Sequence, residues 1–260
     1  MKRANNEDSF LSIPPWQEPS LSKKLCLFAV ADGVGGHVSG EIASSLAVQS
    51  LQRDLSTWKE HELTKSTMET LVGDANQYLR EHVKKNPQCE GMGTTLTTIA
   101  ISSSKAIIGH IGDTRAYLLR NGKLEQITRD HTLVGEQIRL GKLTPDQAKV
   151  HPGRHILSRV MGPREFVSID SFELNLMPGD LIVLLSDGIT GLVSDEEIKN
   201  VLISNAFNKT ASVLVQQANK AGGADNSTAV VIKINEVPLI FPPKFSLERV
   251  KALLYGFWRG

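Results

Sequence analysis

Three apolar runs of strand length, LCLFAVAD (25–32), KAIIGHIGD (105–113) and DLIVLLSDG (180–188), each deliver an aspartate at or near their ends. A fourth, Asp225 in GGADNST, stands just before STAVVIKI (227–234). A continuous apolar run such as 25–32 fits a strand covered on both faces. Taken singly, an aspartate followed by glycine or asparagine marks an ordinary turn. Together the four raise a sharper question. If their strand ends converge, several carboxylates share one site, and like charges there cost several kcal/mol each unless a cation sits among them. Hard divalent cations with oxygen donors, Mg²⁺ or Mn²⁺, resolve that conflict, and no His-Glu-x-x-His or paired-cysteine pattern points to zinc. Spacing alone leaves convergence open.

The stretches between these runs read as helices and further strands. Residues from Gly40 to about Trp58 place Ile42, Leu46, Leu51 and Leu55 near helical spacing. Ser66-x-x-Glu69 predicts the start of a second helix reaching about Lys84, and Ser194-x-x-Glu197 caps a third, with a fourth ending near Ala221. TTLTTIAIS leads into the 105–113 run through a serine turn, RAYLLR-NG-KLEQIT is a hairpin with the favoured Asn-Gly turn, and VSIDSFELN is one more strand. Strands meeting two helical blocks imply an α+β fold with sheets packed against helices. A chain of 260 residues, 40% hydrophobic, can bury one sizeable core. Its formal net charge of +1 supplies no field for a nucleic-acid backbone. Cys26 and Cys89 are too sparse for a disulfide framework, and no signal segment or membrane span is apparent, so the expectation is a cytoplasmic protein with reduced thiols.

RANNEDSF, VADGVGGH, GMGTT, GHIGDTRAYL, ITRDHTLV, HPGRHILSRVMG, LLSDGITGLVSDEEI and ADNSTAVVI, in that order, resemble the successive motifs of the metal-dependent Ser/Thr protein phosphatases. This is the PPM, or protein phosphatase 2C-like, family, in its compact bacterial branch. The likeness covers residues 1–235. It implies a β-sandwich of two antiparallel sheets flanked by pairs of helices, with a flap over about 132–161.

The resemblance also assigns roles. Asp32 matches the carboxylate that bridges two metals, with the Gly33 carbonyl on one of them and Asp187 and Asp225 on the other. Glu7 and Asp8 match acids that bind or orient metal-bound waters, and Asp113 with Asp187 matches a third, weaker site. Arg3 matches the arginine that grips the substrate phosphate, a task suited to a planar fork. The implied cofactors are Mn²⁺ or Mg²⁺, two held tightly and a third weakly. The implied activity is hydrolysis of phosphoserine and phosphothreonine on proteins by a metal-bound hydroxide, reversing a Ser/Thr kinase. A non-catalytic phosphoprotein-binding module of the same fold is the alternative, and loss of the metal ligands would mark it. The expected partners are phosphorylated proteins and a cognate kinase, not nucleic acid, and the expected state is a monomer.

Other residues keep plainer readings. Eukaryotic relatives carry a histidine two residues after the bridging aspartate, where this chain has Val34; His37 and His110 read as structural. Arg154, His155 and Arg159 in the flap either touch a phosphopeptide or pair with local acids. Beyond the resemblance, residues 236–260 combine a proline-containing linker with a stripe from Leu247 to Trp258 at helical spacing. That stripe, over 246–258, docks on the domain, on a partner or on a membrane surface.

Overall fold

The computed structural model describes residues 5–14, 25–34, 39–57 and 63–236. Arg3, His37 and the tail from 237 onward lie outside the described residues. In chain order the elements begin with β1 (Asp8–Ile13), β2 (Leu25–Val34), α1 (Gly40–Thr57), α2 (Lys65–Lys85), β3 (Gly93–Thr94), β4 (Leu96–Ser102) and β5 (Lys105–Ile111). There follow β6 (Arg115–Arg120), β7 (Lys123–Gln126), α3 (Leu133–Arg139), α4 (Pro145–Lys149) and β8 (Asp170–Asn175). The described chain closes with β9 (Leu181–Leu185), α5 (Asp187–Thr190), α6 (Asp195–Ser204), α7 (Phe207–Lys220) and β10 (Ala229–Lys233).

The strands form two antiparallel sheets, one ordered β1-β2-β4-β5-β8 with β3 paired to β2, the other β10-β9-β6-β7. Alternation along β2 shows how the layers stack. Leu27, Ala29 and Ala31 face one core with Leu51, Met68 and Leu79 of α1 and α2. Cys26, Phe28 and Val30 face another, against Ala116, Leu118, Ile182, Leu184 and Val230 of the second sheet. Val183, Leu185 and Val231 then face Ile198, Val201 and Leu214 of α6 and α7. This is the helix–sheet–sheet–helix sandwich that the resemblance implied. The apolar runs carry no polar alternation because both faces of their strands are covered, each large side chain contributing about 1.5–3 kcal/mol on burial.

Most local expectations hold, and the departures have physical causes. Asn121 and Gly122 both adopt positive φ (51° and 73°) in the β6–β7 turn, as an Asn-Gly hairpin requires. Ser194 and Glu197 form the expected capping box on α6. The cap of α2 lies earlier than Ser66: Thr64 and Thr67 satisfy each other's backbone groups. Glu69 instead accepts a hydrogen bond from the Ser171 hydroxyl on β8, 2.6 Å away, so a tertiary partner has claimed it.

Candidate metal centre

Antiparallel pairing brings the acid-bearing ends together. Asp8 of β1 stands opposite Asp32 of β2. The end of β5, which leads to Asp113, pairs with the start of β4, where Leu96 faces Ile111. Leu185, ahead of Asp187, pairs with both Arg115 of β6 and Ala229 of β10, so Asp187, Asp113 and Asp225 lie at the same end of the sandwich.

Short polar links fix these backbones. The Asp32 N–H donates to Thr95 Oγ1 at 3.0 Å, while the Thr95 N–H and the Thr94 hydroxyl both donate to the Asp32 carbonyl, at 2.8 and 2.9 Å. The threonines of GMGTT therefore clamp the aspartate. The Gly33 N–H donates to the Glu7 carbonyl at 3.0 Å, and the Glu7 N–H donates to Asn226 Oδ1 at 3.0 Å. Asn226 in turn donates its own N–H to Asp225 Oδ1 at 2.8 Å. The Ser186 hydroxyl crosses between the sheets, donating to Asp8 Oδ2 at 2.8 Å and accepting from the Thr228 N–H at 2.9 Å. Gly188 is required by this closeness, since a Cβ there would meet the Asn226 carbonyl oxygen at 1.9 Å.

The electrostatics show that the carboxylates feel one another. Burial raises Asp8 to about 6, against the Thr228 and Ser186 hydroxyls, and the charges of Asp187 and Asp225 push the same way as burial. Burial also raises Asp32 well above the usual range, with added repulsion from Asp8, Asp187 and Asp113 and a hydrogen bond to Asp187. Asp113 rises to about 7, through burial first and then the charges of Asp187 and Asp130. Two carboxylates in hydrogen-bond contact must share a proton, and a cation in that place removes the need for it.

Asp8 Oδ1 supplies a second sign, being buried with no hydrogen-bond partner among the described residues. No group of three or more His, Cys, Asp or Glu side chains among them closes tightly enough to hold an ion through those side chains alone. Oxygen donors completed by a backbone carbonyl and waters are the habit of Mg²⁺ and Mn²⁺, and the residues present fit such ions.

The remaining sequence candidates separate cleanly. His110 is buried, its Nδ1 beside the Thr97 hydroxyl and its Nε2 beside the Arg129 carbonyl, both at 2.9 Å; burial pushes it down to about 4. It is structural. Arg159 turns to a local acid, Asp170 Oδ1, at 2.7 Å, whereas Arg154 and His155 are exposed. Local sequence gives no signal for Ser186 and Asn226, whose partners Asp8 and Glu7 are 178 and 219 residues away.

Asp8 buried, with Asp32, Asp113, Asp187 and Asp225 half-buried at the same mouth of the sandwich, is an arrangement of oxygen donors suited to metal-assisted hydrolysis. The chain belongs to the protein phosphatase 2C family, whose model matches residues 2–227. It is 36% identical to the serine/threonine phosphatase stp of Listeria welshimeri over 213 residues, which is 79% of this chain and 83% of that protein. The crystal structure of the serine/threonine phosphatase PstP/Ppp of Mycobacterium tuberculosis superposes with a TM-score of 0.81 at 35% identity, covering 91% of this chain and 95% of that one. A PstP catalytic domain in complex with two manganese ions gives a TM-score of 0.78 at 34% identity, covering 91% and 94% of the two chains.

Proposed function

We propose that this protein is a divalent-metal-dependent serine/threonine protein phosphatase and that Asp32, Asp187, Asp225 and the Gly33 carbonyl hold two Mn²⁺ or Mg²⁺ ions. The observation that carries this is the gathering of Asp8, Asp32, Asp113 and Asp187 at one mouth of a protein phosphatase 2C sandwich, where burial first and neighbouring carboxylate charge second raise Asp8, Asp32 and Asp113. Bound there, such ions lower the pKa of a water and neutralise charge on the phosphoryl oxygens. That contribution is large, because phosphate monoesters are among the slowest bonds to hydrolyse.

The chain's own groups prepare the site. Asp8, with Oδ2 fixed by Ser186, keeps Oδ1 available to orient water, and Glu7 is set beside it by backbone links to Gly33 and Asn226. Asp113 with Asp187 is the proposed seat of a third, weaker ion, and Arg3 is the proposed grip on the substrate phosphate. Water is the nucleophile in this scheme. Cys26 lies in the core between the sheets, where burial pushes its thiol up to about 12, and Cys89 is buried as well. A phosphorylated protein opposing a Ser/Thr kinase is the proposed substrate. Every acid of the expected set is in the sequence, so nothing marks a non-catalytic module.

The test is hydrolysis of a phosphothreonine peptide with Mn²⁺ and with EDTA. Activity should vanish with the chelator and return with metal; full activity in EDTA would overturn the proposal.

A further inference from the structure

Gly112, immediately before Asp113, is held in an unusual way. Its φ is +106°, and a Cβ there would lie 2.5 Å from Thr95 Cβ and Cγ2, so no side chain can anchor it. Both polar groups of the residue go to His131. The His131 N–H donates to the Gly112 carbonyl at 2.7 Å, and the Gly112 N–H donates to His131 Nδ1 at 3.1 Å. His131 is only 2% exposed, and its own carbonyl accepts from the Ser158 N–H at 2.8 Å, which ties it to the flap. Because Nδ1 accepts, the ring proton sits on Nε2 and points to Asp170 Oδ2, 3.2 Å away. Arg159 fixes the other Asp170 oxygen at 2.7 Å. Burial lowers the His131 pKa, which favours the same neutral form.

We propose that His131 is the positioning residue for Asp113: by taking both polar groups of Gly112 it sets where the next carboxylate stands, and so sets the affinity of the weaker cation. This rests on the assignment of Asp113 to that cation. The other face of the ring lies against His110, with centroids 4.7 Å apart, so a purely packing role is the competing account.

Two isosteric changes separate the accounts. His131→Asn puts an amide oxygen where Nδ1 stands and keeps the acceptor for Gly112. His131→Gln puts an amide N–H where Nε2 stands, keeps the Asp170 contact and loses that acceptor. His131→Gln should raise the Mn²⁺ concentration needed for half-maximal activity by about tenfold, the scale of a lost ligand-orienting hydrogen bond. Calorimetric affinity for the two tight ions should be unchanged. Hydrogen exchange at the Gly112 amide should quicken in His131→Gln and stay slow in His131→Asn, whose Mn²⁺ dependence should match the wild type.

Unchanged Mn²⁺ dependence in His131→Gln, or equal losses in both variants in step with melting temperature, would overturn the proposal. Should His131→Gln not fold, the test passes to His131→Asn, where a changed Mn²⁺ dependence overturns it. Asp113→Asn is the control. If it leaves Mn²⁺ dependence unaltered, the third-cation assignment itself falls, a result distinct from failure of His131 alone.

Discussion

The Ser186 hydroxyl donates to Asp8 and accepts from Thr228, so one buried Oγ joins β1, the end of β9 and the approach to β10. Ser186→Ala would take this partner from Asp8 Oδ2, on a buried side chain, and from the half-buried Thr228 N–H. The expected cost is about 1–3 kcal/mol in unfolding free energy, read from denaturant melts in EDTA. A loss of only a few tenths would show that water replaces the hydroxyl. Asp187→Asn makes the opposite case. It removes one charge from a repelling cluster, so the metal-free variant should melt no lower than the wild type, yet show no turnover and little gain in melting temperature on adding Mn²⁺. A lower melting temperature in EDTA would mean that Asp187 is a structural anion. At this scale Asp32, Asp113 and Asp187 were legible because each stands where an apolar run ends beside glycine, and Asp225 because it stands in a turn just before an apolar run. Ser186, Asn226 and His131 were not. Their roles depend on backbones far apart in sequence, and nothing in a local window sets such contacts.

At the scale of elements, hydrophobic pattern located the strands and long helices, while caps and short turns of helix were less legible. α2 begins at a box formed by Thr64 and Thr67, because Glu69, the expected partner of Ser66, is held by Ser171. Thr64→Ala should therefore cost about 1 kcal/mol, and Ser66→Ala much less. Equal effects of the two changes on the denaturation midpoint would reverse that assignment. The sequence predicts strand through the start of α5, since DLIVLLSDG is apolar from Leu181 to Leu185. β9 instead stops at Leu185 and the chain turns into helix at Asp187, where close contact with Asn226 demands Gly188. The flap helix α3, capped by Thr132, lacks the apolar stripe of a packed helix; Val134 is its buried residue. That leaves little periodicity to read.

The sandwich as a whole sets where β10 ends relative to the acids. β10 starts beside Leu185, near the acid cluster, and ends beside Leu181, so the chain past Lys233 leaves from the far end of its strand. Deleting 237–260 should thus leave peptide hydrolysis and melting temperature nearly unchanged, and a large fall in melting temperature would place the 246–258 stripe in the core. The cluster itself should govern how stability responds to pH. Asp113 and Asp32 have folded pKa values raised above their unfolded value of 3.8, to about 7 and well above it respectively. Between those limits the native state binds more protons than the unfolded chain, so the metal-free protein loses stability as pH rises. His110, lowered to about 4, acts in the opposite sense, but only below its unfolded value of 6.5. From about pH 6.5 to 8 the carboxylates act alone, each extra native proton contributing about 1.4 kcal/mol per pH unit. Melting temperature in EDTA should therefore fall across that window. With saturating Mn²⁺ the ion replaces the shared protons, protons compete with metal, and the melting temperature should rise or stay level with pH instead. The inversion is the diagnostic outcome. A metal-free protein that grows more stable from pH 6.5 to 8 would show that burial and neighbouring charge do not hold these acids protonated, and the argument for a cation among them would lose its electrostatic basis.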